Sequence, residues 1–338
     1  MNIITRIVCC ICLFNFFLFS NKVLTINEHF KIPVLYAVDH GKAYILDGPK
    51  SVVHVYPLDN TSPHYTMCKP GEGPGELQFV SFLSLWKDQV VVSGNSKLIF
   101  FDGGGRSLLE KKIPFAHDRF IPVGDHFICR TLENAPGKSI VSATLYNANL
   151  TSPKKLEEFT IDRSTAKNKN GKVDYYFCKD YFSFYATNQT IIVGNTQKGF
   201  YFAIYDSSGN KIRDINGDYK KRPITEEQKE AQLEIWKKDY GPIFYEKLLK
   251  RSNLVFPKFY PAYERFTAHK DQLYIRLHPI KDQCQELLVL DTKGKELSRH
   301  KVPAASTLSE ICVWNSHYYY LQENPDKETW ELHAVSLI

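Results

Sequence analysis

The densest run of small residues in the chain is Lys69–Leu77, K-P-G-E-G-P-G-E-L. A glycine-rich run can cradle phosphate when its amides converge at the start of a helix. Here it leads into Gln78–Leu85, an apolar stretch that reads as a strand, so a tight turn is the expected role. Other local signatures of chemistry are missing. No H-E-x-x-H pair, acidic calcium loop or G-x-S-x-G elbow occurs, and no C-x-x-C pair lies beyond residue 20. Those spacings bring zinc ligands, calcium ligands or an activated serine together on one element. A site in this chain has to be assembled from distant segments.

The side chains best placed for assembly are Arg119, Tyr260, Tyr263, Arg265 and Glu310. They lie on, or lead into, segments that the repeat pattern makes the innermost strands of a ring. Cations, aromatic hydroxyls and a carboxylate gathered there could bind a ligand at the mouth of a channel. Each could equally fill the channel or pair with a neighbour.

What must position them is a turn written three times: Phe101-Asp102-Gly103-Gly104-Gly105-Arg106, Tyr205-Asp206-Ser207-Ser208-Gly209-Asn210 and Leu290-Asp291-Thr292-Lys293-Gly294-Lys295. In each, an apolar run ends in Asp, and Gly precedes a polar residue and a new strand. The Asp side chain can accept from amides two residues on, and Gly tolerates positive φ. Recurrence at long, blade-like intervals marks a structural repeat. The aromatic share of 14%, with 20 Tyr and 22 Phe, suits pleated, half-buried surfaces.

Around these turns the chain divides into four-stranded sets. The first runs from Val34 to Cys68, the second from Phe79 to Ile113 and the third from Arg119 to Thr160. A polar loop, Asp162–Lys172, follows. The fourth set spans Tyr181–Ile215 and the fifth Ala262–Val302. The last, Leu308–Val335, has three strands, and Val23–Lys31 is a spare strand at the other end. The expectation is an all-β, six-bladed β-propeller in which the N-terminal strand closes the last blade, removing two open edges. A helical insertion, Lys220–Asn253, enters between blades 4 and 5. Thr225 and Gln228 form a capping box, Leu233, Trp236 and Tyr240 share a face, and Gly241-Pro242 breaks the helix. The insertion reads as a lid packed by its aromatic stripe or as a partner-binding element. Lysines and glutamates are mixed along it, as on a solvated face.

The glycine run is also where a resemblance becomes specific. Gly71, Gly73, Pro74, Gly75 and Glu76, with Leu77 in place of Phe, resemble the blade-junction signature of NHL-repeat and TolB-like six-bladed propellers. With the Asp-x-x-Gly turns the likeness covers about residues 23–338, although the other five junctions lack the glycines. The resemblance implies an exported, non-catalytic binding or scaffold propeller that engages a protein or small ligand at one face of the ring. Its alternative is a metal-dependent lactonase or lyase with ligands at the central channel. Whether the chain is an enzyme stays open, and neither a cofactor nor a metal ligand is assigned.

Residues 1–20 stand apart. Arg6 precedes the apolar run Ile7–Phe19, too short for a comfortable span and suited to the core of a secretory signal. Export to a periplasm or cell surface is expected; if the leader is retained, residues 7–19 attach the protein to a membrane. Beyond it lie Cys68, Cys129, Cys178, Cys284 and Cys312, an odd and widely spaced set that implies no disulfide framework. A net charge of +6 without a concentrated basic stripe speaks against nucleic acid. A monomer is expected. Asn60, Asn149 and Asn188 fit glycosylation sequons.

Overall fold

The structure, a computed structural model, describes residues 20–338 apart from 28–29, 31–32, 60–62, 95, 116, 163–171, 178, 188, 279–283, 304–308, 325 and 328. The expected leader, the centre of the polar loop, Cys178 and two sequon asparagines, Asn60 and Asn188, lie outside the described residues.

Strand β1 (Ser20–Ile26) opens the chain. Blade 1 is β2 (Pro33–Asp39), β3 (Lys42–Asp47), β4 (Val52–Pro57) and β5 (Tyr65–Met67). Blade 2 is β6 (Val80–Trp86), β7 (Gln89–Gly94), β8 (Lys97–Phe101) and β9 (Ser107–Lys112). Blade 3 is β10 (His117–Val123), β11 (His126–Ala135), β12 (Lys138–Asn147) and β13 (Lys154–Asp162). A lone strand, β14 (Val173–Tyr176), precedes blade 4, which is β15 (Phe182–Ala186), β16 (Thr190–Asn195), β17 (Phe200–Asp206) and β18 (Lys211–Gly217). Helices α1 (Glu226–Tyr240) and α2 (Pro242–Arg251) and strand β19 (Ser252–Val255) follow. Blade 5 is β20 (Arg265–His269), β21 (Gln272–Arg276), β22 (Cys284–Asp291) and β23 (Glu296–Pro303). Blade 6 joins β24 (Cys312–Trp314), β25 (His317–Asn324) and β26 (Thr329–Ser336) to β1. The chain is an all-β six-bladed propeller.

The apolar runs are near-continuous because each middle strand is buried on both faces. In β16, Ile191 and Val193 join the cluster between blades 3 and 4, while Ile192 joins the one between blades 4 and 5. In β8, Ile99 and Phe101 face blade 1, and Leu98 and Phe100 face blade 3. Side chains alternate across a strand, so one apolar run serves two junctions. Among the described residues six apolar clusters occur, one at each junction around the ring. Each fully buried Val, Ile or Phe contributes about 1.5–3 kcal/mol.

Closure is antiparallel, β1 on β26, from Ser20 opposite Val335 to Ile26 opposite Trp330. Pairing begins three residues before the segment that alternation had suggested, because the partner strand, not the weak pattern after Val23, sets its extent. Ile26 and Phe30 are buried between blades 6 and 1.

All three Asp-x-x-Gly turns connect the third and fourth strands of a blade. Asp206 Oδ1 accepts from the Ser208 and Asn210 amides at 2.9 and 2.8 Å, and Asp102 and Asp291 repeat the pattern within 0.2 Å. A fourth copy sits in blade 3 in other residues. Asn147 Oδ1 accepts from the Asn149 and Thr151 amides, both at 3.0 Å, and Leu150 takes the glycine position at φ 60°. The sequence pattern missed it because Asn replaces Asp and a buried Leu, anchored between blades 2 and 3, replaces Gly.

The insertion differs most from expectation. Past the break at Gly241 a second helix of ten residues follows, and β19 pairs in parallel with β14, from Val173 opposite Ser252 to Tyr176 opposite Val255. A four-residue V-D-Y-Y run after a polar loop carries too little periodicity to announce a strand. The Thr225–Gln228 capping box is present, and Gly241 at φ 82° ends α1. Trp236 packs on Tyr175 and Phe177 at 5.0 and 5.3 Å, and Phe177 stacks on Phe256 at 4.7 Å. Both ribbon strands lead toward innermost strands, β15 and β20. The helices and ribbon therefore form a cap on the inlet face, where the chain comes into the centre of the ring.

Candidate functional site

Three innermost strands carry a β-bulge, and the bulges decide what points at the axis. In β2 the register skips Tyr36, in β6 it skips Ser81, and in β10 it skips Asp118 and Arg119. A bulge leaves a residue outside the ladder and re-aims its side chain. The Tyr36 hydroxyl donates to the Ser81 carbonyl at 3.2 Å. Arg119 lies between the rings of Phe82 and Tyr185, 4.2 and 4.5 Å from their centroids, and donates through Nη1 to Ser183 Oγ at 2.9 Å.

Blades 5 and 6 supply the rest. Arg265 opens β20, and its Nη1 donates to Glu310 Oε1 at 3.3 Å. Glu310 lies two residues before β24, fixed by its amide, which donates to the Leu35 carbonyl at 3.3 Å. The Tyr185 hydroxyl donates to Glu310 Oε2, and Arg119 Nη2 stands 3.7 Å from that oxygen. Among the described residues the axis thus holds one carboxylate, two guanidiniums and two tyrosines, drawn from five blades, with blade 2 adding the Ser81 carbonyl. Burial would raise the Glu310 carboxyl, but Arg119, Arg265 and the Tyr185 hydroxyl hold it below the usual carboxylate range. Burial, with Glu310 adding to it, pushes the Tyr36 hydroxyl far above its ordinary value.

Beside this group lies a second polar nest at the junction of blades 5 and 6. Arg276 is fully buried and donates through Nη2 to Glu264 Oε1 at 3.2 Å, while Gln285 Nε2 donates to Glu264 Oε2. The His278 ring stacks on Tyr260 at 4.6 Å, and its carbonyl accepts from Arg222 Nη2 at 2.6 Å. Burial lowers the His278 pKa to about 4, against the pull of Glu264. Arg222 belongs to the segment leading into α1, so the cap is tied directly to blade 5.

Of the five residues singled out from sequence, Arg119, Arg265 and Glu310 come together. Tyr263 does not line the channel. It precedes β20 rather than lying on it, is fully buried, stacks on Phe202 at 4.8 Å and donates to the Tyr201 carbonyl at 3.3 Å. Tyr260 anchors the cap, its amide donating to the Arg222 carbonyl at 2.9 Å. Tyr36, Tyr185, Glu264, Arg276 and His278 were not singled out. For Tyr36 the signal would have been a bulge, which sequence does not display.

The glycine run is a turn. The Glu76 carboxylate folds back and accepts from the Gly73 amide at 2.9 Å, occupying the position an anion would take. Gly71 sits at φ 156°, which side-chain-bearing residues rarely adopt, and a Cβ there would also displace the Glu76 carboxylate. Among the described residues the donor set at the axis suits a metal ion poorly, because two guanidiniums flank the Glu310 carboxylate. Among the described residues no group of three His, Cys, Asp or Glu side chains could hold a metal ion. Cys68 and Cys312 are buried thiols, and burial pushes the Cys68 thiol up to about 12.

No family model matches the chain, and no curated protein matches it. Solved structures do. A chain from Bacteroides fragilis that carries the name of an exported protein is 11% identical, with 94% of each chain covered and a TM-score of 0.51. Regucalcin, a calcium-binding protein from Agrobacterium tumefaciens, is 9% identical over 93% of this chain and 95% of its own, at a TM-score of 0.47. A gluconolactonase from Xanthomonas campestris is 9% identical over 94% and 89%, also at 0.47. At 11% identity the likeness to the Bacteroides fragilis chain is one of fold alone.

Proposed function

We propose that this chain is a non-catalytic binding propeller of the NHL-repeat or TolB-like kind, exported across a membrane, that engages a protein or small ligand at its inlet face. The observation that carries this reading is the pairing at the axis. Glu310, the one carboxylate there among the described residues, is committed to Arg265, Arg119 and Tyr185. A metal-dependent lactonase or lyase needs anionic and neutral oxygen or nitrogen donors converging on a cation. Two guanidiniums repel that cation. The cap adds recognition surface on the same face, with Tyr176, Ile235, Ile243 and Leu249 exposed on it. Rigid apolar and aromatic residues on a fixed scaffold are what partner surfaces use.

Export rests on Arg6 and the Ile7–Phe19 run, with a retained leader giving membrane attachment instead. Among the described residues no helix is long and apolar enough to cross a membrane. Elemental analysis of purified protein separates binding from the enzyme alternative. The expected result is no stoichiometric divalent metal after dialysis against calcium, manganese or zinc. A metal bound one-to-one, and lost in Glu310→Gln, would overturn the reading in favour of the enzyme.

A further inference from the structure

The nest between blades 5 and 6 holds polar atoms that the protein leaves unmatched. Arg276, Gln285, His278 and Tyr318 are each more than nine-tenths buried. Arg276 donates to Glu264 through Nη2, but its Nε and Nη1, which carry three N–H donors, meet no acceptor. Gln285 donates through Nε2 to the same carboxylate, which fixes the orientation of its amide and leaves Oε1 without a donor. His278 Nε2 and the Tyr318 hydroxyl have no hydrogen-bond partner either. One carboxylate thus holds Arg276 and Gln285 together, and both the Tyr318 hydroxyl and the His278 ring stand within electrostatic reach of Arg276. Buried polar groups are costly to leave unmade, and four converging in one nest call for a partner from outside the chain.

The unmatched atoms say what kind of partner. Arg276 offers donors and Gln285 an acceptor, so the complement has to accept and donate at once, as a hydroxyl does. A carboxylate would meet Arg276 but set its lone pairs against Gln285 Oε1 and Glu264, and Arg276 already has Glu264 at 3.2 Å. Burial, which lowers the His278 pKa to about 4, keeps that ring neutral as well. The nest lies at the inlet end of blade 5, where Arg276 stands opposite Arg265. Glu264, with a side chain 20% exposed, is its opening.

We propose that the inlet mouth binds a neutral, hydroxyl-rich ligand, a sugar or cyclic polyol, whose hydroxyls enter beside Glu264, accept from Arg276 and donate to Gln285. The inference rests on the binding reading above and gives its small ligand a chemical class. The Tyr318 hydroxyl and the His278 ring, which is held by its stack on Tyr260 at 4.6 Å, take further hydroxyl contacts.

Saturation-transfer NMR on the purified full chain tests this, with D-glucose, D-galactose and myo-inositol as probes and sodium acetate as the anionic control. The expected result is saturable transfer from the protein to at least one of the three and none to acetate. Tyr318→Phe removes a hydroxyl that has no protein partner, so it keeps the fold and weakens the binding about tenfold. Gln285→Met weakens it likewise, and Lys247→Gln on the cap leaves it unchanged. A shift of the His278 imidazole resonance by the bound probe reads the same contact in the wild type, should either variant unfold. No transfer to any of the three probes overturns the proposal and leaves the nest to solvent. Saturable binding of acetate without the sugars overturns the hydroxyl assignment. Binding unchanged in both Tyr318→Phe and Gln285→Met places the ligand elsewhere and overturns the site. None of these failures touches the metal measurement, so the broader binding reading stands or falls separately.

Discussion

Arg119 Nη2 and Glu310 Oε2 face each other 3.7 Å apart across the axis, an ion pair that is not a hydrogen bond. They come from blades 3 and 6, so the contact spans the ring and couples strands remote in sequence. Glu310→Gln removes the carboxylate that faces both Arg119 and Arg265 in a largely buried site. Removing one partner of a buried ion pair costs about 3–5 kcal/mol. Denaturant unfolding of the variant is expected to show a loss of that size with an unchanged slope. A loss below about 1 kcal/mol, the value of an exposed pair, would show that the axis is open to water.

His278 gives the fold a defined response to acid. Burial lowers its pKa to about 4, with Glu264, Arg222 and Arg276 around it. The unfolded chain takes up this proton near pH 6.5, whereas the native state resists until about 4. Between those values the unfolded state binds more protons, so stability falls as pH falls, by about 3 kcal/mol over the window. His278→Gln should flatten that part of the stability profile. The Glu310 and Glu264 carboxyls, held below their ordinary value, contribute stability that is present above the unfolded pKa of about 4.3 and lost as pH drops through their folded values. Their effect lies at lower pH and should survive the substitution. Persistence of the slope between pH 6.5 and 4 in the variant would assign it to another group.

Gly209 occupies φ 75°, and a Cβ there would meet Leu145 and Leu156 at 2.9 Å. Left-handed backbone costs a side-chain-bearing residue about 1–2 kcal/mol, and the contact adds to it. Gly209→Ala is expected to lower stability by at least that range in calorimetry. A neutral result would mean that the turn relaxes freely.

Starting the chain at Lys31 removes β1 and with it the pairing of Ser20–Ile26 with Trp330–Val335. The edge of β26 is then open, and Ile26 is withdrawn from the junction of blades 6 and 1. The truncated protein is expected to aggregate or melt well below the full chain. An unchanged melting curve would contradict closure by this strand.

The architecture was legible because propeller physics is local and repetitive. Apolar runs bounded by Asp-x-x-Gly turns mark blades wherever they occur, and the spare N-terminal strand followed from a last set one strand short. The site was less legible. Arg119 and Glu310 stood out as polar residues near innermost strands, but Tyr36 faces the axis only because β2 bulges at that residue. Tyr263 was misplaced because Ala262–Glu264 continue the apolar-polar pattern without joining β20. The β14–β19 ribbon escaped notice since two four-residue strands, distant in sequence, define each other only by pairing.

The most direct test of the inlet-face reading leaves the cap docked and changes only its surface. A triple variant, Ile235→Asp, Ile243→Asp and Leu249→Asp, alters exposed side chains while Trp236 continues to hold α1 against Tyr175 and Phe177. Immobilised wild-type and variant proteins are each used to capture material from the envelope fraction of the source cell, with thermal unfolding confirming that both are folded. The account predicts a partner recovered by the wild type and lost by the variant at unchanged Tm. Equal recovery by both would contradict it.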